Sequence, residues 1–403
     1  MSFQPPRGTN DILPDGSSVW RNVLTAWEDW SSRFGYPLVI TPIFEATDLF
    51  ERGVGDTTEV VTKQMYTFED KGGRSLTLRP EGTAGVVRAF LNSGAKGAWK
   101  GAYSGPMFRY EKPQKGRTRQ FYQVGVEYLD MEWPLADVEV IELGWRYLAS
   151  IGVDGLELRI NSLGDRVCRP AYLEELRSYL ESKRDKLCED SVGLIERNPM
   201  RVLDCKVCGP ELVDAPVMSD FLCQPCREHH KAVLGGLDAL RIEYISDPAL
   251  VRGLDYYTRT AFEYIGTGLD AAQNAVGGGG RYDGLAEIIG GRSVPGVGFA
   301  LGIDRAILSA FRQTEPALEV FVVSETGPDE VLALVSDLRQ QGWSTDFDPS
   351  GRSAKSQFKT AARLGAPITL IYHNADQPVT IRRGESRQEV PVSEVVSWLA
   401  DNR

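Results

Sequence analysis

Apolar residues recur at three- and four-residue steps through Val19, Trp20, Val23, Leu24, Trp27 and Trp30, which predicts an amphipathic helix ending near Gly35. The next run, YPLVITPIFEA, is β-type but interrupted by Pro37 and Pro42, so it belongs at a sheet edge or in a strand entering an interface. SLTLRPEGTAGVVRAFL predicts a strand, a turn and a helix. GAYSGPMFRYE and RQFYQVGVEYLD predict two strands, and the short loop joining them makes them antiparallel neighbours. A helix rich in Val and Leu follows around Asp137 to Ile151.

From about Leu156 to Asp247 the pattern changes: LELRINSLG alternates as a strand, then charged helical sequence leads into a cysteine-bearing segment. LVRGLDYYTRTAFEYI, NAVGGGGRYDGL and PGVGFALGIDRAIL then predict two strand-like runs and a helix beginning near Gly302. Residues 156–247 read as an insertion splitting one domain into 1–155 and 248–315. In the tail, LEVFVVS predicts a strand, PDEVLALVSDLRQQG a helix, and PITLIY and PVTIRR further strands with a helix between. That alternation marks a small α/β domain over residues 318–403.

The chain has 403 residues, enough for two or three domains, and its 42% apolar and 25% charged residues are those of an ordinary globular protein. No apolar run approaches the roughly 20 residues of a membrane span. The stretch MSFQPPRGTNDILP lacks the apolar core of a secretory leader, so the cytoplasm is the expected location. With 45 basic and 56 acidic residues the net charge is −11, which repels phosphate at long range. It excludes indiscriminate nucleic-acid binding but not a local basic site, because charges more than about 8–10 Å apart are screened. Only His229, His230 and His373 occur, which weakens any mechanism needing a histidine base.

Against that acidic background, RYEKPQKGRTRQ gathers Arg109, Lys112, Lys115, Arg117 and Arg119 around a single anion, Glu111. Arginine forks match phosphate oxygens bidentately. A solvated hairpin tip is the plain alternative, but Arg252, Arg281 and Arg305 also stand in glycine- or aromatic-rich contexts that do not read as surface. In QFYQVGVEY, Gln123 and Glu127 are an even number of residues apart and share one strand face. Gly277 to Gly280 remove side chains where a ligand would lie against a strand. Cys205, Cys208, Cys223 and Cys226 form two CxxC hooks and predict one four-thiolate structural Zn2+ site, with four ordinary thiols as the alternative. Cys168 and Cys188 stand apart and are given no role. Arg352, Lys355, Lys359 and Arg363 are spaced as one basic helical stripe, opposite Phe358 and Ala362.

LRPEGT, GPMFRYEKPQKGRTRQFYQVGVE, LVRGLDYYTRTAFEY, GGGGRYDGL and GVGFALGIDR, with RGTNDILP near the start and GRSAKSQFKTAARLGA in the tail, resemble the histidyl-tRNA synthetase family of class II aminoacyl-tRNA synthetases. The resemblance follows the family's order over nearly the whole chain. It implies an α+β fold: an antiparallel sheet flanked by helices, an inserted subdomain and a C-terminal α/β anticodon-binding domain. It places motif 1, around YPLVITPIFEA, at a homodimer interface. The implied reaction joins L-histidine and ATP, with Mg2+, into histidyl-adenylate and pyrophosphate, then transfers histidine to the 3′ end of tRNA(His).

The resemblance also implies roles. Arg109 would hold the ATP α-phosphate and the substrate carboxylate, Arg252 the α-phosphate and Arg305 the γ-phosphate, with Glu111 and Arg117 also at ATP. Glu81 would pair the histidine ammonium, helped by Gly82, Thr83 and Gln123. Glu127 and Tyr257 would meet the two imidazole nitrogens, with Tyr256 and Tyr282 alongside. Gln114, Arg117 and Arg119 match the loop that meets the tRNA acceptor end, and Arg352, Lys355 and Lys359 would face tRNA phosphates. Electrostatics agrees: a carboxylate must approach a phosphate, and fixed cations relieve that repulsion without a protein base. A non-catalytic regulatory subunit of ATP phosphoribosyltransferase, built on the same fold, is the alternative. Such a subunit would lack some of these arginines, whereas Arg109, Arg252 and Arg305 are all present. A zinc-bearing nucleic-acid adaptor, read from the cysteines alone, would leave the arginines unexplained.

Overall fold

A computed structural model describes residues 3–55, 58–253, 256–268, 274–310 and 318–402. The Leu254 and Asp255 positions of VRGLDYY lie outside the described residues. The chain forms two compact units, Met1–Leu13 with Trp20–Arg312, and Pro14–Val19 with Gln313–Arg403.

The expected amphipathic helix is α1 (Pro14–Arg33), with a proline in its first turn, where a missing N–H costs nothing. Val23 and Trp27 are its buried face, and Gly35 follows in the left-handed region at φ 72°. YPLVITPIFEA is less regular than expected. Only β1 (Phe44–Ala46) is strand, Leu38 makes an isolated bridge to Ala102, and Leu38, Ile40, Ile43 and Phe44 are exposed. After α2 (Thr47–Val54), β2 (Tyr66–Glu69) and β3 (Ser75–Leu78) complete a small sheet in the order β1-β3-β2. The RPEG turn then delivers α3 (Thr83–Ser93).

β4 (Trp99–Phe108) and β5 (Gln120–Leu129) pair antiparallel along their whole length, from Trp99↔Leu129 to Phe108↔Gln120, so the basic loop is their hairpin connection. α4 (Pro134–Ser150) packs Val140, Ile141, Leu143 and Tyr147 into the main core. β6 (Glu157–Ser162) buries Leu158, Ile160 and Ser162, the alternation its sequence predicted. The following segment is helical: α5 (Arg169–Ser182), α6 (Glu189–Leu194), α7 (Met200–Leu203) and α8 (Gln224–Ala239). Then come β7 (Ile245–Ser246), β8 (Thr258–Ile265), β9 (Ala275–Arg281), α9 (Leu285–Ile288), β10 (Gly296–Gly302) and α10 (Ile303–Ser309).

These strands make one sheet in the order β4-β5-β10-β9-β8-β6-β7, antiparallel throughout except for β6 with β7. The expected antiparallel sheet flanked by helices is therefore present. One strand went unread: two runs were expected after residue 248, but PGVGFALG supplies a third, β10, in mid-sheet. Its glycines lower strand propensity, yet they are needed. A Cβ on Gly298 would sit 1.9 Å from Glu127 Oε2.

In the second unit, β11 (Val320–Ser324) lies parallel to both neighbours; α11 (Leu332–Gln340) connects it to β12 (Thr345–Phe347) and α12 (Ala354–Leu364) leads to β13 (Ile368–Tyr372). β14 (Val379–Arg383) and β15 (Ser386–Val390) continue antiparallel, and α13 (Val395–Asp401) ends the described chain. β13 and β14 form a hairpin, so the helix expected between PITLIY and PVTIRR instead precedes both, as α12. Two details of the basic stripe change. Arg352 lies before α12, tied to Asp348 at 2.6 Å, and Ala362 is exposed. The inward face carries Ala361 and Gln357, whose amide is buried because it bonds both the N–H and the C=O of Ser324 at 2.9 Å.

Arg281, grouped above with candidate anion-binding arginines, is fully buried structural material. It bonds Asp137 of α4, the carbonyls of Met131 and Trp133, and Asp283. Removing one partner of a fully buried pair leaves an uncompensated charge. Asp137→Ala is expected to cost about 3–5 kcal/mol in urea unfolding. Asp29→Ala at the exposed Arg33–Asp29 pair is expected to stay within about 0.5 kcal/mol of wild type.

Candidate functional site

One face of the main sheet is rich in glycine around Gln123 and Glu127. Register places Gly101 and Gly298 on either side of Glu127, Gly105 and Gly302 on either side of Gln123, and Gly280 beside Gly298. Residues directly paired across strands share a face, so Gln123, Glu127 and Tyr103 project into space that flanking Cβ atoms would fill. A Cβ on Gly125 would come within 2.4 Å of the Tyr103 hydroxyl, and one on Gly280 within 2.8 Å of the Tyr257 ring. Over this face lies a cavity of about 330 Å³.

Five arginines reach the cavity: Arg109 and Arg117 from one loop, and Arg201, Arg252 and Arg305 from three other parts of the chain. Arg109, at the end of β4, donates from Nε to the Pro80 carbonyl at 2.8 Å and lies 5.3 Å from the Phe121 ring centre. Burial pushes its guanidinium below the ordinary value, against the pull of Glu111 and Glu81. Arg117 pairs with Glu111 at 3.2 Å. Arg252 pairs with Glu263 at 2.6 Å, and its buried Nε has no hydrogen bond of good geometry. Arg305, on α10, is held below its ordinary value by burial and by the Arg117 cation.

The loop RYEKPQKGRTRQ thus divides its charge. Gln114 and Arg117 exchange backbone hydrogen bonds of 3.1 and 2.9 Å around Gly116, whose φ of 73° suits glycine. That tight turn aims Arg117 inward and leaves Gln114, Lys112 and Lys115 exposed. Arg119 turns back, 3.8 Å from the Tyr110 ring centre.

Glu81, Thr83, Gln123, Tyr256 and Tyr257 line the same cavity as the arginines; Gly82, Glu127 and Tyr282 do not. Glu81 accepts the N–H groups of Thr83 and Ala84 at 2.7 and 2.9 Å, which anchors the start of α3, while burial raises its pKa. Glu127 has no exposed surface, bonds the Tyr282 hydroxyl, and is pushed by burial to about 8. Glu127 Oε1, Gln123 Oε1 and the Tyr103 hydroxyl are buried without a hydrogen bond of good geometry. Unmet buried polar atoms are costly, and these three lie on the one sheet face.

Sequence reasoning missed Tyr103, Glu263 and Arg201. Arg201, from α7, lines the cavity and donates to the Gly253 carbonyl at 2.8 Å. Glu263 had a signal, a lone charge inside the apolar run TAFEYI. Tyr103 had the alternating glycines of GAYSGP around it.

The single four-thiolate zinc site is not what the fold builds. Cys223 and Cys226 meet Asp165 and Cys168, while Cys205 and Cys208 meet Cys188; within each group the ligand atoms all lie within 4.8 Å of one another. The start of α8 carries one hook to the turn between β6 and α5, whereas the other hook follows α7 and faces the start of α6. Cys168 and Cys188, given no role above, complete the two clusters.

The family profile described as histidyl-tRNA synthetase matches residues 8–188 and 214–306, and that described as anticodon binding domain matches 319–402. The histidine–tRNA ligase of Halothermothrix orenii is 47% identical over 388 residues, covering 93% of this chain and 92% of its own. That of Anaeromyxobacter sp. strain K is 45% identical over 406 residues, covering 98% of both. The crystal structure of apo S. aureus histidyl-tRNA synthetase superposes with a TM-score of 0.78 at 36% identity, covering 98% of this chain and 99% of that one.

Because burial raises its pKa, Glu127 stabilises the fold in its protonated form. That contribution is complete below the ordinary 4.5 and is lost as pH rises to about 8. Denaturant unfolding between those limits should show wild type losing up to about 1.4 kcal/mol per pH unit relative to Glu127→Gln. Parallel curves for the two proteins would show that Glu127 is ionised in the ligand-free chain.

Proposed function

This chain belongs to the histidyl-tRNA synthetase family and is an aminoacyl-tRNA ligase, and from that premise we propose how its cavity divides the work. L-Histidine and ATP give histidyl-adenylate and pyrophosphate, and the 3′ end of tRNA(His) then accepts the histidine. The observation that carries the residue assignment is the convergence of Arg109, Arg117, Arg252 and Arg305 on one cavity shared with Glu81, Gln123 and Tyr257.

Adenylate formation brings the histidine carboxylate onto the ATP α-phosphate, two groups of like charge. Arg109 and Arg252 span that contact and Arg305 takes the γ-phosphate. Arg109 is held by the Pro80 carbonyl and Arg252 by the Glu263 carboxylate before ligand arrives, so little reorganisation of these two remains for the transition state. ATP arrives with Mg2+, for which Glu111 and Glu263 are hard oxygen donors on the cavity wall. Glu81, Thr83 and Gln123 receive the ammonium. Glu127 and Tyr257 read the imidazole, with Tyr256, Tyr282 and Gly82 shaping the pocket. A site whose buried polar atoms need partners rejects apolar isosteres strongly.

We assign residues 1–155 and 248–315 to the catalytic domain, 156–247 to the insertion and 318–403 to anticodon binding. Gln114, Arg117 and Arg119 sit at the acceptor end of tRNA. The exposed cations Lys355 and Lys359, with Arg352 beside them, face its phosphates. The exposed apolar run Leu38, Ile40, Ile43 and Phe44 is the surface for a homodimer. Among the described residues no helix is long and apolar enough to cross a membrane, and we place the enzyme in the cytoplasm with its tRNA. The regulatory-subunit alternative is disfavoured because Arg109, Arg252 and Arg305, some of which it would lack, all line one cavity.

Histidine-dependent exchange of pyrophosphate into ATP, followed by charging of tRNA(His), tests the reading. Arg252→Ala should slow exchange by about 10²–10³-fold. Its histidine affinity, read by calorimetry, should change little. Equal losses in both would make Arg252 a ground-state binding residue and end this assignment.

A further inference from the structure

We propose that Asp165, Cys168, Cys223 and Cys226 bind one Zn2+ that pins the start of α8 to the turn after β6. The four ligand atoms lie within 4.8 Å of one another. A tetrahedral zinc with bonds of about 2.3 Å to sulfur needs sulfur atoms roughly 3.8 Å apart, so the cluster closes on an ion with sub-ångström to one-ångström shifts. Three soft thiolates and one carboxylate in a closed set suit zinc better than magnesium or calcium, which take oxygen. Cys168 and Cys226 are buried, at 5% and 0% exposure, so the ion would be shielded from water on that side.

The backbone around the cluster presents helix ends and an amide donor to the sulfurs. Cys168 is the N-cap of α5 and Cys223 the N-cap of α8, with Cys226 in the first turn of α8. Two helix N-termini, each on a helix of at least 14 residues, point partial positive charge at the sulfurs. The Asp165 N–H approaches Cys168 Sγ at 3.3 Å. Asp165 Oδ1 accepts the N–H groups of Val167 and Cys168 at 2.9 and 3.2 Å, which orients the carboxylate and leaves Oδ2 for the ion. Arg259, 3.8 Å from Oδ2, is an outer partner of the kind metal-bound carboxylates keep. Gly164 has φ 63°, and a Cβ there would lie 2.8 Å from Cys168 Sγ.

The position matters for the catalytic sheet. Arg169, next to Cys168, donates to the carbonyls of Leu163 at 3.1 Å and Tyr257 at 2.7 Å. An ion on Cys168 would thus fasten α8, the turn after β6 and the segment carrying Tyr257 to one point.

The test is zinc per chain, by plasma mass spectrometry, on untagged protein purified under reducing conditions without added metal. Wild type should retain zinc, and Cys226→Ser should hold one equivalent less, both in the wild-type and in the Cys205→Ser background. Should Cys226→Ser fail to fold, Asp165→Asn, which keeps an acceptor for both amides, should release zinc to a chromophoric chelator at least about 10-fold more readily. Cobalt(II) added to stripped wild type should give thiolate charge-transfer and tetrahedral d–d bands that Cys226→Ser lacks. Wild type that holds no zinc and gives no cobalt–thiolate bands, or unchanged zinc in every variant, would each overturn the proposal.

Discussion

The site depends on a sheet face where glycines flank Gln123 and Glu127. Glycines at 101, 105, 298, 302 and 280 surround Gln123 and Glu127, and a Cβ at several of them would strike those residues or their neighbours. Glycine weakens a strand because the unfolded chain has more freedom to lose. Here the weakness is offset elsewhere. β4 and β5 pair over ten residues each, and the opposite face of the sheet packs Val124, Val126, Val297, Phe299 and Leu301 into the largest buried cluster. The apolar side carries the stability and the glycine side is left open for ligand.

Charge is arranged on the same logic of holding groups ready. An acidic chain places Arg109, Arg117, Arg252 and Arg305 around one cavity, and the first three are braced by the Pro80 carbonyl, Glu111 and Glu263 respectively. Arg281 shows the contrast. It is the same residue type on a neighbouring strand, but Asp137, Asp283 and two carbonyls consume its donors, so it locks α4 to the sheet. What an arginine does here is decided by how many of its donors the fold leaves unspent.

The insertion is joined to the site by more than chain continuity. Arg201 reaches the cavity wall and holds the Gly253 carbonyl, and Arg169 holds that of Tyr257. Both lie close in sequence to cysteines of the two thiol clusters. The segment between β6 and β7 therefore sets backbone positions in the stretch that carries Arg252, Tyr256 and Tyr257.

The sequence by itself determined the elements whose signals are local. The three- and four-residue steps of α1, the alternation in β6 and the β4–β5 hairpin around PQKGR were all legible, because each depends on near neighbours. So was family membership, carried by motifs spread along the chain. Tertiary structure decided the rest. Register alone shows that glycines far apart in sequence flank Gln123 and Glu127, and that β10 is a central strand despite its glycines. Spacing paired Cys205 and Cys208 with Cys223 and Cys226, but the fold sends each hook to a different partner, because ligand geometry follows distance in space and CxxC encodes only distance along the chain. Arg281 was grouped with the anion-binding candidates for the same reason: whether a polar side chain is spent on the protein or left for a ligand depends on partners that approach from remote segments.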